Sequence, residues 1–215
     1  MYIPNEFEIK DKNEIKSFIK ENSFGMIISY SDDGFQVTHV PLLLEEEDET
    51  LYLYGHFAIG NGHWKLANGR RVLAIFNGPH YYISPRWYRA NEAVPTWNYM
   101  TVHCEGQFNT IDNVKNVEIL KKMLEYYEID RELKNKMEEP YYSKMSKGVK
   151  SFNIRIDKIY AKYKLSQNRT HDDRLFIVEN LRKINTQDSL RMAEEIIRCN
   201  NDMKGEGTVK PPLKE

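Results

Sequence analysis

The feature that most constrains this chain is a succession of short apolar runs, each closed by turn residues, which later gives way to helical periodicity. Phe24 to Tyr30 is apolar, Ser31-Asp32-Asp33-Gly34 is turn chemistry, and Phe35 to Leu44 resumes, which predicts a hairpin. After an acidic turn, Glu45 to Thr50, a third strand is predicted at Leu51 to Tyr54, ending at Gly55-His56. Arg70 to Asn77 is a fourth. Its centre, Val72 to Phe76, is continuously apolar, the pattern of a strand buried on both faces, and Gly78-Pro79 closes it. Tyr81 to Ser84, Trp97 to Thr110 and, after a long interval, Ser151 to Ala161 add further strands. A row of antiparallel strands of this kind closes into a barrel or a sandwich. Pro41 cannot donate to a sheet ladder, so it implies an edge, a bulge or an opening.

The remainder reads as helix. Asp11 with Glu14 starts a short helix whose Ile15, Phe18 and Ile19 share a face until Asn22, and Ile59 to Asn68 is short and helix-like. Asp112 is placed to cap a helix striped by Val114, Val117, Leu120, Leu124 and Tyr127. Arg131 to Lys150 is a charged helical or irregular excursion, and Asp172 to Asn200 carries two amphipathic helices. With no internal repeat or linker, residues 1–170 are expected as one domain, 171–204 as a helical extension packed on it, and 205–215 as a disordered tail.

Composition narrows the function. At 215 residues and 40% hydrophobic, the chain can bury a proper core. Its 31 basic and 32 acidic side chains leave a net charge of -1, so no global field draws it to DNA or to an anionic membrane. A charged N-terminus and the lack of any long apolar window predict a cytoplasmic protein that avoids membranes. Cys104 and Cys199 form no C-x-x-C pair, and His63, His80 and His103 match no ligand spacing, so no metal site is expected. The common nucleotide-binding, zinc-protease and hydrolase motifs are missing, which leaves redox chemistry to a cofactor if there is any.

Three stretches carry binding chemistry. His80 to Gly106 is dense in aromatic rings, and its run Val94-Pro95-Thr96-Trp97-Asn98-Tyr99 sets two rings with polar handles around an amide, suited to a planar heteroaromatic ligand. Gly55 to Lys65 ends a strand in small residues and opens a helix, a place where amides and Lys65 attract anions. Lys162 to Arg169 follows Arg155 and Lys158, making the strongest local positive patch, readable equally as a charged sheet edge.

The runs HVPLLL (His39–Leu44), GHFAIGNGHW (Gly55–Trp64), VPTWNY (Val94–Tyr99) and YKLSQNR (Tyr163–Arg169) resemble, in that order, the PaiB family of FMN-binding negative transcriptional regulators. The resemblance covers nearly the whole chain. It implies an α+β fold: a six-stranded antiparallel split β-barrel with peripheral helices and a C-terminal helical region, related to the pyridoxamine-phosphate oxidases and flavin reductases. It implies FMN held between the subunits of a homodimer. Thr38, His39, Val40 and Pro41 would meet the isoalloxazine edge. His56, Phe57, Ala58, Asn61 and above all Lys65 would meet the phosphate. Trp97, Asn98 and Tyr99 would stack on or edge the ring, Trp97 reading equally as barrel core. Lys164, Ser166, Gln167 and Asn168 would hold phosphate, ribityl chain or the partner subunit.

The function implied is negative transcriptional regulation. Direct DNA contact has little physical support, because between Asp172 and Lys204 acids slightly outnumber bases. The alternative is a flavin-dependent oxidoreductase, a reductase or oxidase of a small molecule, with His39, His56 and Tyr99 as candidate proton carriers and no catalytic residue assigned. A third reading is a cofactor-free module whose aromatic cleft binds a peptide or metabolite.

Overall fold

The computed structural model describes residues 1–89, 93–128, 132, 140–200 and 203. The chain divides into two compact units. A barrel unit comprises Asp11–Asn77 and Val102–Tyr160, and a terminal unit comprises Met1–Lys10, Gly78–Thr101 and Ala161–Glu215.

Seven strands make one antiparallel sheet: β1 (Phe24–Ser31), β2 (Gly34–Pro41), β3 (Leu43–Glu47), β4 (Thr50–Ala58), β5 (Arg71–Ile83), β6 (Thr96–Thr110) and β7 (Val149–Lys164). Their order is β2-β1-β5-β6-β7-β4-β3. The two strands at the ends of this order, β2 and β3, are joined in the chain by Leu42 alone. A one-residue link forces the two edges of the sheet together, so the sheet curls into a barrel. Leu42 is fully buried and donates its N–H to the Ser23 carbonyl at 2.8 Å. Pro41, the last residue of β2, marks the split, as its missing donor predicts.

Close backbone approach lets the barrel shut. A Cβ on Gly55 of β4 would fall 2.6 Å from the Phe152 ring and 3.1 Å from the Pro41 carbonyl oxygen, and one on Gly106 of β6 would fall 2.2 Å from the Arg155 carbonyl oxygen of β7. Inside, Phe152 packs on Phe57 and Phe108 with ring centroids 4.8 and 4.6 Å apart, and fully buried Phe76 adds to the core.

Helix α1 (Lys12–Glu21) starts where expected, the Asp11 carboxylate accepting from the amides of Asn13 and Glu14, and buries Ile15, Phe18 and Ile19. Helix α2 (His63–Ala67) follows β4. Helix α3 (Asn113–Tyr127) sets Ile119 and Met123 against Leu43 and Tyr54. Its most buried face is turned from the expected stripe, because Asn116 faces β7, donating to the Val149 carbonyl (3.1 Å) and accepting from the Ser151 amide (3.2 Å). Helix α4 (Pro140–Ser146) precedes β7. In the terminal unit, α5 (His171–Ile184) is capped by Thr170, and α6 (Gln187–Cys199) by a Thr186–Ser189 capping box. These two helices pair to bury Ile177, Leu181, Met192 and Ile196.

Four expectations change. The run Phe35 to Leu44 is two strands, broken at Leu42 to close the barrel. Glu45 to Glu47 belongs to β3, leaving Asp48 and Glu49, both at positive φ, as the turn. Gly78-Pro79 lies within β5, which continues to Ile83 and takes in the strand expected at Tyr81 to Ser84. The sheet has seven strands where the resemblance implies six. The tail 205–215 and residues 131 and 133–139 of the charged excursion lie outside the described residues.

Candidate functional site

The terminal unit contains a cavity of about 270 Å³ lined by Phe7, Tyr88, Val94, Thr96, Asn98, Lys164, Ser166, Asn168 and Arg169. It grows from three sequence features. The approach to β6 and its first residues bring Val94, Thr96 and Asn98 to the cavity, Thr96 and Asn98 because residues two apart on a strand share a face. The end of β7 supplies Lys164, and the turn after it, with Ser166 at φ 63°, brings round Ser166, Asn168 and Arg169. A 3₁₀ turn at Pro85–Trp87, capped by Ser84, delivers Tyr88.

The polar groups of this pocket are ordered by one another. Asn98 and Ser166, both buried, share two contacts: the Asn98 amide donates to the Ser166 hydroxyl at 2.9 Å, and that hydroxyl lies 3.3 Å from the Asn98 carbonyl oxygen. Lys164 donates from Nζ to the Thr96 hydroxyl. Burial pushes the Lys164 ammonium below its usual pKa; neighbouring Lys162 and Arg169 push the same way, and Tyr99 opposes them. The Arg169 guanidinium lies 4.8 Å from the Tyr88 ring centroid. Tyr88 is buried, and its hydroxyl meets no partner within strict hydrogen-bond geometry, with the Arg169 guanidinium the near donor. Burial raises its pKa, the charge of Arg169 opposes this, and the Asp173 carboxylate adds to the rise. A buried hydroxyl without a well-aligned partner costs free energy, and this one lines the cavity beside two cations.

The structure parts residues that are adjacent in sequence. Thr96 and Asn98 line the pocket, whereas Trp97 and Tyr99 alternate to the other face of β6. Trp97 is 54% exposed beside His80 (ring centroids 6.2 Å apart) and Tyr82 (6.0 Å), so it is not barrel core. The Tyr99 ring lies 5.3 Å from the Lys162 ammonium. Gln167 spans its own turn, accepting from the Leu165 amide (2.7 Å) and donating to the Tyr163 carbonyl (2.6 Å). The basic patch is divided: β7 is an interior strand and not a charged sheet edge, Arg155 pairs with Asp157 at 3.2 Å, Lys162 is buried against the Tyr2 carbonyl at 3.2 Å, and Lys164 and Arg169 are left at the cavity.

In the barrel unit a second polar group forms. His63, the buried first residue of α2, approaches the Ser29 hydroxyl at 2.7 Å through Nε2 and the Thr38 hydroxyl at 2.8 Å through Nδ1, while its ring stacks on Phe57 at 5.3 Å. Asn61 donates to Thr38 at 3.3 Å and accepts from the His63 amide at 3.0 Å. Burial lowers the pKa of His63, so a neutral ring pins α2 to the β1–β2 hairpin. Thr38, Asn61 and Phe57 are therefore engaged by the barrel itself, and Val40 is buried. His39 is exposed on β2 with its ring 6.4 Å from that of Phe24, and Pro41 closes that strand. His56 lies 3.3 Å from the Met123 sulfur, its pKa lowered by burial, and Ala58 ends β4 exposed. Lys65 is exposed, its ammonium 5.3 Å from the Trp64 ring, over which Lys150 also lies at 5.9 Å. Among the described residues no group of three or more His, Cys, Asp or Glu could hold a metal, and no helix is long and apolar enough to cross a membrane.

Reasoning from sequence missed Tyr88 and Phe7 as lining residues and Ser29 and His63 as a pair, and held Thr96 only as a member of its run. Ser29 left a trace, a hydroxyl at an inward position of an otherwise apolar strand; Tyr88 left only its place in the aromatic-dense stretch.

Comparison with known proteins agrees with this architecture. Residues 1–158 match the family described as "Putative FMN-binding domain". The chain is 38% identical over 198 residues to the protease synthase and sporulation protein PAI 2 of Bacillus subtilis, covering 90% of this chain and 95% of that relative. The chain belongs to the PaiB family. FMN is the cofactor that membership of this family brings. The PaiB-family fold is shared with the flavocytochrome Anf3 of Azotobacter vinelandii, at 15% identity and a TM-score of 0.59 over 79% of this chain and 75% of that one. It is shared too with the FAD and heme binding protein of Mycobacterium smegmatis, at 10% identity and a TM-score of 0.58 over 73% of each chain. The pocket residues Lys164, Ser166, Asn168 and Arg169 follow the segment matched by the family domain.

Proposed function

We propose that this chain is a PaiB-like FMN-binding regulator acting as a homodimer, and that the phosphate-bearing end of the flavin enters the pocket of Lys164 and Arg169. The observation that carries this reading is the convergence of two cations and the unpartnered Tyr88 hydroxyl on one cavity. Arginine offers a planar fork to phosphate oxygens, lysine a point charge, and the hydroxyls neutral donors. An ammonium that partial burial has drawn away from water gains from a counter-ion, and that is the state of Lys164. At about 270 Å³ the cavity suits the phosphate and ribityl chain better than a whole flavin. When bound, FMN supplies the capacity to accept or release electrons, and the chain's own residues hold and orient it.

Lys65 is the competing phosphate ligand, flanked by Lys150 across Trp64. Quenching of FMN fluorescence on titration separates the two. Lys164→Ala and Arg169→Ala should each weaken binding about tenfold or more, the worth of one charge-assisted hydrogen bond, with Lys65→Ala close to native. The reverse ranking moves the phosphate to α2. Because the phosphate favours a charged Lys164, affinity should also decline as pH rises through the lowered pKa of that residue, short of the ordinary lysine value of 10.5. The regulatory role is tested by electrophoretic shift on promoter fragments at low salt. Absence of any shift would leave regulation to a protein partner.

A further inference from the structure

Two of the groups that line the pocket of the terminal unit, Tyr88 and Arg169, sit on short connections and not on strands. Tyr88 follows the 3₁₀ turn Pro85–Trp87 in extended backbone, and Arg169 lies in the turn between β7 and α5. Both connections are tied to the first turn of α5. Asp173 is buried, and its carboxylate accepts from the backbone amide of Arg89, the residue after Tyr88, at 2.8 Å. The Asp173 amide in turn donates to the Thr170 hydroxyl at 3.2 Å, the bond that caps the helix. The next residue, Arg174, is also buried and donates from Nη1 to the Arg169 carbonyl at 2.7 Å. Adjacent residues of one helix therefore hold both sides of the cavity, Asp173 reaching 84 residues back along the chain to do so. A buried carboxylate is costly unless hydrogen-bonded, and a bond from an amide to a charged acceptor is stronger than one between neutral groups. The position of Asp173 in the first turn, where the helix dipole favours an anion, lowers that cost further.

We infer that Asp173 is a positioning residue for the phosphate pocket: through the Arg89 amide it fixes the backbone that aims Tyr88 at the cavity. This rests on the FMN reading above and extends it to a side chain outside the cavity lining. The charge of Asp173 excludes a role as ligand, because a carboxylate repels an incoming phosphate. Its contribution is the hydrogen bond that it accepts, and a neutral acceptor of the same shape serves that purpose equally. Asparagine keeps an oxygen at the accepting position and removes the charge, whereas alanine removes both. The Tyr88 ring and the Arg169 guanidinium, 4.8 Å apart, are anchored to the same helical turn, one through Asp173 and the other through Arg174. Cutting the Asp173 tie frees the Tyr88 side of the cavity, and a ligand must then order it again on binding, at a loss of affinity.

The test is the affinity for FMN and for riboflavin, by fluorescence quenching, of the full-length native chain, Asp173→Asn and Asp173→Ala, with far-ultraviolet circular dichroism as the check on folding. Asp173→Ala should bind FMN about fivefold or more weakly and Asp173→Asn within about twofold of native, the difference being the one hydrogen bond. Riboflavin, which has no phosphate, should bind alike to the native chain and both variants. In a Tyr88→Phe background Asp173→Ala should cost less than in the native chain, since a positioning residue acts through the group that it places. A folded Asp173→Ala with native FMN affinity, equal losses for FMN and riboflavin, or an Asn variant as weak as the Ala variant would each overturn the inference. If Lys164→Ala and Arg169→Ala also leave FMN binding unchanged, the pocket reading falls with it; if those two weaken FMN binding, the inference falls alone. Should Asp173→Ala fail to fold, hydrogen exchange of the native chain decides: an Arg89 amide whose protection rises on FMN binding supports the tie, and one that exchanges equally with and without FMN overturns it.

Discussion

At the scale of single residues, His63 ties α2 to both strands of the β1–β2 hairpin. Replacing it with Phe keeps the stack on Phe57 but strands the buried Ser29 hydroxyl, at a cost of about 1–3 kcal/mol, while the half-buried Thr38 hydroxyl keeps the Asn61 amide. Urea denaturation at neutral pH should show His63→Phe less stable by about 1–3 kcal/mol. The same residue gives acid sensitivity a sign. Burial lowers the pKa of His63, and likewise of His56 and His103, below 6.5, whereas the unfolded chain keeps the ordinary value. Below about pH 6.5 the unfolded state therefore binds more protons, and stability falls as pH falls toward the folded values. Denaturation midpoints at pH 7.5 and 5.5 should drop for the native chain and drop less for His63→Phe; equal drops would mean that His63 is not among the titrating groups.

At the scale of elements, two glycines with opposite surroundings make a paired prediction. Gly106→Ala would put a methyl 2.2 Å from a β7 carbonyl, a contact that only moving the β6–β7 ladder relieves, so a loss of about 3 kcal/mol or more is expected. Gly62→Ala, at the N-cap of α2 with φ -62° and nothing within 4 Å, should be neutral or stabilising by up to about 1 kcal/mol. Thermal melts of the two variants check both. In the terminal unit, Thr186→Ala removes the hydroxyl that accepts from the Ser189 amide at the start of α6 and should cost about 1 kcal/mol, while the reciprocal bond from the residue-186 amide to the Ser189 hydroxyl remains.

At the scale of the whole molecule, the terminal unit is assembled from three separate stretches of chain, and α5 and α6 bury Ile177, Leu181, Met192 and Ile196 within it. Deleting residues 171–215 should therefore expose apolar surface, seen as dye binding and aggregation, rather than release a trimmed soluble domain. The sequence by itself determined the local elements: the Asp11 cap, the hairpin through Gly34, the strand at Ser151 and the paired C-terminal helices all rest on side-chain alternation and capping within a few residues. It also determined the family and its cofactor, through four motifs kept in order. Only the tertiary structure decided how those motifs divide. Trp97 and Asn98 are neighbours that face opposite ways because an extended chain alternates, whereas Asn98 and Ser166, far apart in sequence, share a hydrogen bond because β6 and β7 lie side by side. How the expected barrel closes was hidden for the same reason: that Leu42 joins the two ends of the strand order depends on pairings tens of residues apart, and no local window of sequence carries them.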